Sequence, residues 1–232
     1  MTRILAAFSL LLPLVSLSGC GCDTPVSPSD VTVRGDVYRH SSGGGIQVCL
    51  LHRGRPVSGA EVSVNGRRLH ESMHGMYLIT LTSMPIESGV TYELTVRLEH
   101  GSFSGTTVLC DSFYCLRPEQ SYEHTVGEPL VAEWTSTGDN YRYVVLIEQN
   151  LFEKIRQTYV SPILQDTIHA IPAGAFDKSG YYSIMIFSFE NGVSYHPFDA
   201  VAIERENLTN GALGFFGSWR QAETRIWVGQ PG

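Results

Sequence analysis

A regular alternation of short apolar runs and turn residues is the feature that most constrains the fold of this 232-residue chain. From Val31 onwards, runs rich in valine, isoleucine, leucine and aromatic residues are separated by glycine, asparagine and serine. Asn65-Gly66 is one such separator, and both of its positions tolerate the positive φ of a tight hairpin turn. This spacing is typical of an antiparallel sandwich. The predicted strands are residues 31–33, 46–51, 60–64, 76–81, 92–98 and 103–109.

A second series of strands is predicted after Pro118. Leu130, Ala132 and Trp134 occupy alternate positions, so we expect their side chains to face one core. The predicted fold class is therefore all-β, with two tandem antiparallel β-sandwiches of the immunoglobulin-like type. The further strands of the second series are residues 141–147, 167–176 and 180–189.

Residues 56–66, PVSGAEVSVNG, precede a GMYLI segment at residues 75–79. This pair of segments resembles the carboxypeptidase-regulatory-like modules and other small immunoglobulin-like repeats. Such modules are non-catalytic spacers or ligand-holding platforms, so the resemblance implies a fold rather than an activity. The first domain is predicted to span residues 31–118.

The second predicted domain, residues 119–232, resembles a fibronectin type III domain. Trp134, the IPAGAF segment at residues 171–176 and the GYYSIMIFSF segment at residues 180–189 carry that resemblance. Residues 150–164 depart from it as an insertion. Leu151, Ile155 and Tyr159 recur there every four residues, which predicts a short amphipathic helix that Pro162 ends and that caps one end of the sandwich.

The N-terminus has the pattern of a targeting signal. Arg3 precedes an apolar run over residues 4–15, which is shorter than the roughly 20 residues that span a bilayer. The following Leu17-Ser18-Gly19-Cys20 resembles the lipobox of bacterial lipoproteins. The resemblance implies that residues 1–19 are removed and that Cys20 carries the lipid. Several acyl chains at one cysteine form a stable anchor, since each buried methylene contributes about 0.8 kcal/mol.

Residues 20–30 are predicted to be a lipidated tether, because proline and serine dominate them and they contain little that could fill a core. Gly21 rather than aspartate follows Cys20, which in lipoproteins implies the outer membrane of a Gram-negative bacterium. Taken together, the chain loosely resembles two-domain lipoproteins that accompany outer-membrane nutrient-uptake systems. We therefore expect an envelope protein or a glycan as its partner, in addition to the membrane that holds its lipid.

The formal net charge of −7 excludes several classes of function. Nucleic-acid binding requires clustered cations that neutralise phosphates, so no nucleic-acid partner is expected. Electrostatic adhesion to anionic lipid also requires clustered cations, so it is excluded as well. The sequence has no serine-hydrolase motif and no phosphate-binding glycine loop, so neither an enzyme nor a cofactor is predicted.

The chain has five cysteines, and four remain once Cys20 is assigned to the lipid. Cys110 and Cys115 are close enough in sequence to close a small disulfide loop, which is the pairing we predict. Cys22 would then bridge to Cys49, or Cys49 would be a free buried thiol within the apolar run at residues 46–51. Both alternatives remain open.

His70-Glu71-Ser72-Met73-His74 matches the H-E-x-x-H signature of zinc peptidases. In those enzymes a helix places both histidines on one face, and the glutamate is the general base for a zinc-bound water. Glu93 is a candidate third ligand. The motif lies between predicted strands, where there is little room for a helix, so His70 and His74 are weak metal candidates and a zinc peptidase is the alternative function.

A glycine-rich aromatic segment, residues 207–219, is the candidate binding patch of the sequence. Exposed together, Phe215, Phe216 and Trp219 would suit a sugar ring or a partner protein, because exposed apolar patches mark interfaces. If they are buried, they close the second sandwich before a last strand at residues 223–228.

Overall fold

The computed structural model describes residues 26–40, 43–80, 82–138, 140–151, 154–196, 199–203 and 206–230. The predicted leader, the lipid-bearing Cys20 and the candidate disulfide partner Cys22 lie outside the described residues. Two short 3-10 turns, Pro28–Asp30 and Ala173–Phe176, are the helical elements of the described part of the chain.

The first half of the chain forms nine strands among its described residues, joined by tight turns. Several of these turns use positive-φ residues, including Asn65 and Gly66, as the sequence predicted. The strands are β1 (Val31–His40), β2 (Gly43–His52), β3 (Arg55–Pro56), β4 (Glu61–Val64), β5 (Arg67–Arg68), β6 (His70–Met73), β7 (Met76–Thr80), β8 (Thr91–Leu98) and β9 (Gly101–Val108).

The second half of the described chain forms ten more strands. They are β10 (Cys115–Arg117), β11 (Tyr122–Thr125), β12 (Leu130–Trp134), β13 (Arg142–Leu151), β14 (Lys154–Val160), β15 (Ile168–Ile171), β16 (Gly180–Glu190), β17 (Gly192–His196), β18 (Asp199–Ile203) and β19 (Leu213–Gly229).

One large sheet runs through the molecule in the order β14-β13-β16-β19-β1-β2-β7-β6, with β11 paired to β19 and β3 paired to β2. Two smaller sheets, β5-β4-β8-β9 and β10-β12-β15, contribute to separate cores with it. Strands β17 and β18 form a hairpin of their own. The all-β prediction is confirmed, and the layers form sandwiches of immunoglobulin-like type.

Two hydrophobic cores fill the sandwiches. The first is built mainly from β1, β2, β4, β7, β8 and β9, and residues such as Val33, Leu94 and Val96 are fully buried in it. The second contains Trp134 and Ile184. Because apolar residues alternate along these strands, each strand directs every second side chain into its core. The division of the chain into domains between residues 118 and 119 stays a prediction.

Strand β19 pairs with strands of both halves. Its first part runs parallel to β1, from Leu213 beside Thr32 to Arg220 beside Arg39. Its later part is antiparallel to β16 and parallel to β11. The pairing of the first sandwich is therefore not purely antiparallel, and Phe216 of β19 lies in the core formed by residues of the first half.

The close approach of β1 and β19 depends on Gly214. Its φ is +94°, and a Cβ atom there would collide with the backbone of Val33. Only glycine avoids both the strained φ and the collision. Next to it, the Asn207 side chain joins two sheets: its amide donates to Thr106 O at 2.7 Å and to Phe216 O at 2.8 Å, and its Oδ1 accepts from Phe216 N at 2.9 Å.

The predicted helix in the insertion at residues 150–164 is wrong. Strand β13 continues to Leu151, and β14 returns antiparallel to it from Lys154, so the insertion is a β-hairpin on the edge of the large sheet. The branched and aromatic residues of β14 favour an extended backbone. Tyr159 packs against the second core and Val160 against a third apolar cluster, while Ile155 is 65% exposed.

Candidate functional site

The aromatic segment proposed as a binding patch is buried. Phe215 and Phe216 have no exposed surface, and Trp219 is 4% exposed. Trp219 stacks on Tyr38 with ring centroids 5.1 Å apart and meets Phe187 edge-to-face at 5.3 Å. Of the two alternatives that the sequence left for these three residues, burial is the one observed, and they do not form a binding patch. The segment forms the first part of an interior strand, where glycines admit large rings between packed layers.

The H-E-x-x-H motif lies on a β-hairpin rather than on a helix. His70 and Glu71 are in β6, and His74 occupies the turn to β7. The helical i, i+4 spacing that puts two imidazoles on one face around a zinc ion is therefore absent. His74 Nδ1 instead contacts Ser58 Oγ at 3.1 Å. Among the described residues, no three histidine, cysteine, aspartate or glutamate side chains could hold a metal together.

Glu71 has a structural role in that hairpin. Its Oε2 accepts a hydrogen bond from Gly59 N at 3.0 Å, and its Oε1 accepts one from Gly75 N at 3.1 Å. These backbone donors lower the pKa of the carboxyl group, the Gly59 amide most strongly. A general base needs a pKa near the working pH, so this environment is unsuited to the catalytic role that the motif assigns to Glu71.

The predicted Cys110–Cys115 disulfide is not present, and both residues are free thiols. Cys110 is buried and its Sγ lies 3.8 Å from Ser188 O, whereas Cys115 Sγ lies 3.0 Å from Arg117 O. Each sulfur therefore contacts a different part of the second half. Burial raises the pKa of both thiols to about 11. Cys49 is also a free buried thiol, whose pKa burial raises to about 12.

An exposed row of side chains crosses the outer face of the large sheet, on the side opposite the second core. Its members come from five strands, and each is the direct cross-strand partner of the next. We call this set the aromatic row: Glu123, Trp227, Tyr181, Asn150 and Ile155, from β11, β19, β16, β13 and β14 in that order.

Two aromatic rings stand at the centre of the aromatic row. Tyr181 is 62% exposed and Trp227 is 40% exposed, which is unusual for rings on interior strands. They are direct cross-strand partners, and their ring centroids lie 4.7 Å apart in an edge-to-face arrangement. Such pairs hold each other in place. The rings are therefore preorganised on a rigid surface.

Polar side chains beside the rings are linked in a chain of hydrogen bonds. Asn150 Nδ2 donates to Ser183 Oγ at 3.2 Å, and Ser183 Oγ donates to Glu223 Oε1 at 3.2 Å. Arg225 Nε donates to the same Glu223 oxygen at 2.8 Å. Arg225 is thereby ion-paired, and its pKa is raised by Glu223. The network orients the amide and the guanidinium toward one shallow hollow.

That hollow has a volume of about 730 Å³, within the range of small-ligand sites, which is roughly 300 to 1,000 Å³. Its walls combine rings, amides, a hydroxyl and charged groups. The lining residues are Gln120, Ser121, Glu123, Asn150, Tyr181, Arg225, Ile226 and Trp227.

A second hollow, of about 490 Å³, lies beside the middle of β19. Arg220 donates there to Cys110 O at 2.7 Å, to Ser112 Oγ at 3.1 Å and to Ser88 Oγ at 2.5 Å. Burial lowers the pKa of this guanidinium. Its donors are engaged by the protein itself, so Arg220 fixes the connection between the two halves. Tyr114, which is 63% exposed, lines the same hollow.

Sequence reasoning missed the aromatic row. One signal was present: Glu223, Arg225 and Trp227 occupy alternate positions of the last strand, which places the tryptophan on the polar face. The other members come from positions far apart in the chain. Their convergence follows from strand pairing, which residue patterns alone do not determine.

The chain matches no protein-family profile, and no curated protein is similar to it in sequence. Among solved structures, it is similar to the fibronectin(III)-like modules of Clostridium thermocellum CbhA, at 12% identity and a TM-score of 0.31, over 86% of this chain and 94% of that one. At that TM-score the similarity adds nothing to the fold, which rests on the strand pairings and cores described above. In the described part of the chain, no helix has the length and apolarity to cross a membrane.

Proposed function

We propose that this protein is a non-catalytic binding module, held at the cell envelope by a lipid on Cys20, and that the aromatic row is its binding surface. The leader and lipobox of the sequence support the anchor, and the composition of residues 20–30 supports a tether between the lipid and the folded part. The proposed location is the outer membrane of a Gram-negative bacterium.

The observation that carries the binding role is the exposed Tyr181–Trp227 pair on the outer face of a sheet. Both rings lose the free energy of burial by facing solvent, about 25 cal/mol for each Å² of apolar surface left in water. Interior strands otherwise bury their large rings, as Trp134 and Tyr182 show. Paired aromatics that stay exposed among ordered polar groups are typical of binding surfaces.

The anchor is tested by expressing the full chain in a Gram-negative host with labelled palmitate. We expect the label to be incorporated and the protein to fractionate with the outer membrane. In Cys20→Ser both properties are lost, because the acyl acceptor is absent. Label that persists in Cys20→Ser, or a wild-type protein that stays in the soluble fraction, contradicts the anchor.

The binding surface is tested by photo-crosslinking in intact cells with the full chain. A photoreactive residue replaces Ile155, at the end of the aromatic row, in one protein and Tyr114, an exposed ring outside the row, in another, so that both central rings stay intact. We expect adducts from position 155 that Asn150→Ala reduces, and none from position 114. Equal adducts from both positions, or none from 155, would overturn the assignment of the surface.

A further inference from the structure

We infer that the aromatic row binds an uncharged glycan chain that lies across the strands. This inference rests on the proposed binding function and specifies its ligand. The row offers three properties together: ring faces for stacking, ordered side-chain donors and acceptors, and no unpaired cation among the residues that line the hollow.

The rings set the first requirement on the ligand. Pyranose rings carry axial C–H bonds on one face, and those bonds pack against the face of an indole or a phenol. Trp227 and Tyr181 are fixed edge-to-face, so the edge of one ring covers a face of the other and the remaining exposed ring surface is held in one orientation. Both rings also keep a polar tip, the indole N–H and the phenol O–H, within reach of hydroxyl groups.

The polar groups set the second requirement. Hydroxyl groups both donate and accept, so they are matched by amides and carboxylates placed side by side. Glu123 lies next to Trp227, and Asn150 lies next to Tyr181, one at each end of the ring pair. Gln120 is anchored at the rim, where its Oε1 accepts from Arg225 N at 3.2 Å. The aromatic pair is therefore bordered on both sides by groups that can bind hydroxyls.

The charges indicate that the ligand is uncharged. Arg225 is the cation among the residues lining the hollow, and its Nε is already paired with Glu223 at 2.8 Å. Glu123 presents a carboxylate beside the rings. The two carboxylates, Glu123 and Glu223, outweigh the one positive charge of Arg225, so an acidic sugar would meet a net negative surface, and like charges repel. The protein as a whole also carries a net charge of −7.

Backbone pairing with a peptide is unavailable at the two rings themselves. Peptides that add to a sheet pair with the free edge of a strand. The rings stand on β16 and β19, which are paired on both sides in the large sheet. A standard protein partner covers about 800 Å² on each side, whereas the exposed row is narrow. Recognition by side chains alone favours a slender ligand.

The direction of the row suits an extended chain. Neighbouring strands lie about 4.8 Å apart, which is close to the length that one pyranose adds to an extended glycan. The row begins at Glu123 on β11 and ends at Ile155 on β14, which is 65% exposed. A glycan running across the strands would meet a new side chain at each sugar.

The test uses affinity gel electrophoresis of the detergent-extracted full chain in gels that contain one polysaccharide each. The probes are dextran, mannan, xylan and laminarin, which are uncharged, and alginate, which is anionic. We expect at least one uncharged polysaccharide to retard the protein and alginate to leave it unaffected. Trp227→Ala and Tyr181→Ala should weaken the binding by about tenfold or more, as for buried anchor rings.

Tyr114→Ala is the matched control, since Tyr114 and Tyr181 are almost equally exposed, and it should bind like the wild type. Asn150→Ala and Glu123→Gln keep the ring pair and should still weaken retardation, which guards against a folding defect in the ring variants. Retardation by none of the uncharged probes, or equal retardation by alginate, overturns the glycan inference. If crosslinks from position 155 persist in that case, the binding function stands with another ligand; if they are also missing, both proposals fail.

Discussion

At the residue scale, Glu71 shows that a residue of a catalytic signature motif can instead stabilise a turn by hydrogen bonding. Its carboxylate accepts hydrogen bonds from two backbone amides, Gly59 N and Gly75 N, and so joins the β6–β7 hairpin to the preceding loop. Its pKa is lowered from the ordinary value of 4.5. A carboxyl group with a lowered pKa in the folded state adds stability above its ordinary pKa, and this stability is lost as the pH falls through the folded value.

Glu71→Gln should therefore lower the free energy of unfolding at pH 7 by about 0.5 to 1 kcal/mol, since the hydrogen bonds are partly exposed. The difference from the wild type should shrink in acid, below the ordinary pKa of 4.5, because the wild-type carboxyl is then protonated too. Urea unfolding at pH 7 and at pH 3 measures both values. Glu99→Gln is the control, since the Glu99 side chain is 82% exposed. If Glu71→Gln lowers the free energy of unfolding as much at pH 3 as at pH 7, the structural role of the Glu71 carboxylate is contradicted. Stabilisation by zinc that Glu71→Gln abolishes would also contradict it.

The same scale shows what residue patterns missed. For Phe215, Phe216 and Trp219 the sequence left two alternatives, an exposed patch and a buried segment that closes the second sandwich, because aromatics among glycines suit both. In the structure the glycines let the rings pack between layers, so the same composition produces burial. Composition could not distinguish these outcomes, because the difference lies in what packs on top of the segment.

The parallel pairing of β1 and β19 is the contact between elements that the fold depends on most. Gly214 lies at its start with φ +94° and no room for a Cβ atom beside Val33. Gly59 also has a positive φ, +77°, but nothing lies within 4 Å of the position that a Cβ would take. Alanine variants at these two positions therefore separate the free-energy cost of backbone strain from the free-energy cost of a steric collision.

Gly59→Ala should lower the free energy of unfolding by about 1 to 2 kcal/mol, the cost of a left-handed backbone for alanine. Gly214→Ala should cost at least about 2 kcal/mol more, because the strands must also separate. Thermal or urea unfolding of the two variants measures the difference. Equal losses would show that β1 and β19 do not approach closely at Gly214.

Element types were predicted well where alternation was clear and poorly where spacing was ambiguous. Strands at residues 46–51, 92–98 and 180–189 all lie within observed strands. The insertion failed because a spacing of four residues fits one face of a helix and is also a multiple of the strand period of two. The free edge of β13 offered hydrogen-bond partners, and the sequence carries no direct signal of such an edge.

At the scale of the whole molecule, the two halves are tied by side-chain contacts as well as by the strand pairing of β19. Glu190 Oε2 accepts from Val108 N at 2.6 Å, and Ser218 Oγ donates to Val108 O at 2.5 Å. Arg220 adds its hydrogen bond to Cys110 O. Phe216 lies in the first core, while Ile226 of the same strand lies in the second. Unfolding of one core should therefore disrupt the other.

We expect the full chain to unfold in one cooperative transition. Leu94→Ala in the first core and Ile184→Ala in the second should each lower the free energy of unfolding by about 2 to 5 kcal/mol and shift that same transition. Calorimetry that compares the calorimetric with the van't Hoff enthalpy measures the cooperativity. Two transitions, each shifted by only one of the variants, would show independent domains.

The whole-molecule arrangement was the least predictable from the sequence. The alternation indicated two sandwiches in series, which the two cores reflect. It carried no sign that the last strand pairs with the first, because partner choice between distant strands depends on packing and loop geometry. The candidate site shares this origin: Glu123, Asn150, Tyr181 and Trp227 are neighbours only after four strands have paired in register.

The parallel ladder between β1 and β19 also determines how the protein would carry a mechanical load. The proposed tether enters at the start of β1, and the aromatic row lies near the end of β19. A pull between membrane and ligand acts on these two neighbours in opposite directions along their length. Because the strands are parallel, such a pull loads the hydrogen bonds from Thr32 to Arg39 in shear and all at once, rather than opening them one after another from an end. Tension between the lipid anchor and a bound ligand would therefore act along the direction in which the β1–β19 hydrogen bonds resist separation most strongly.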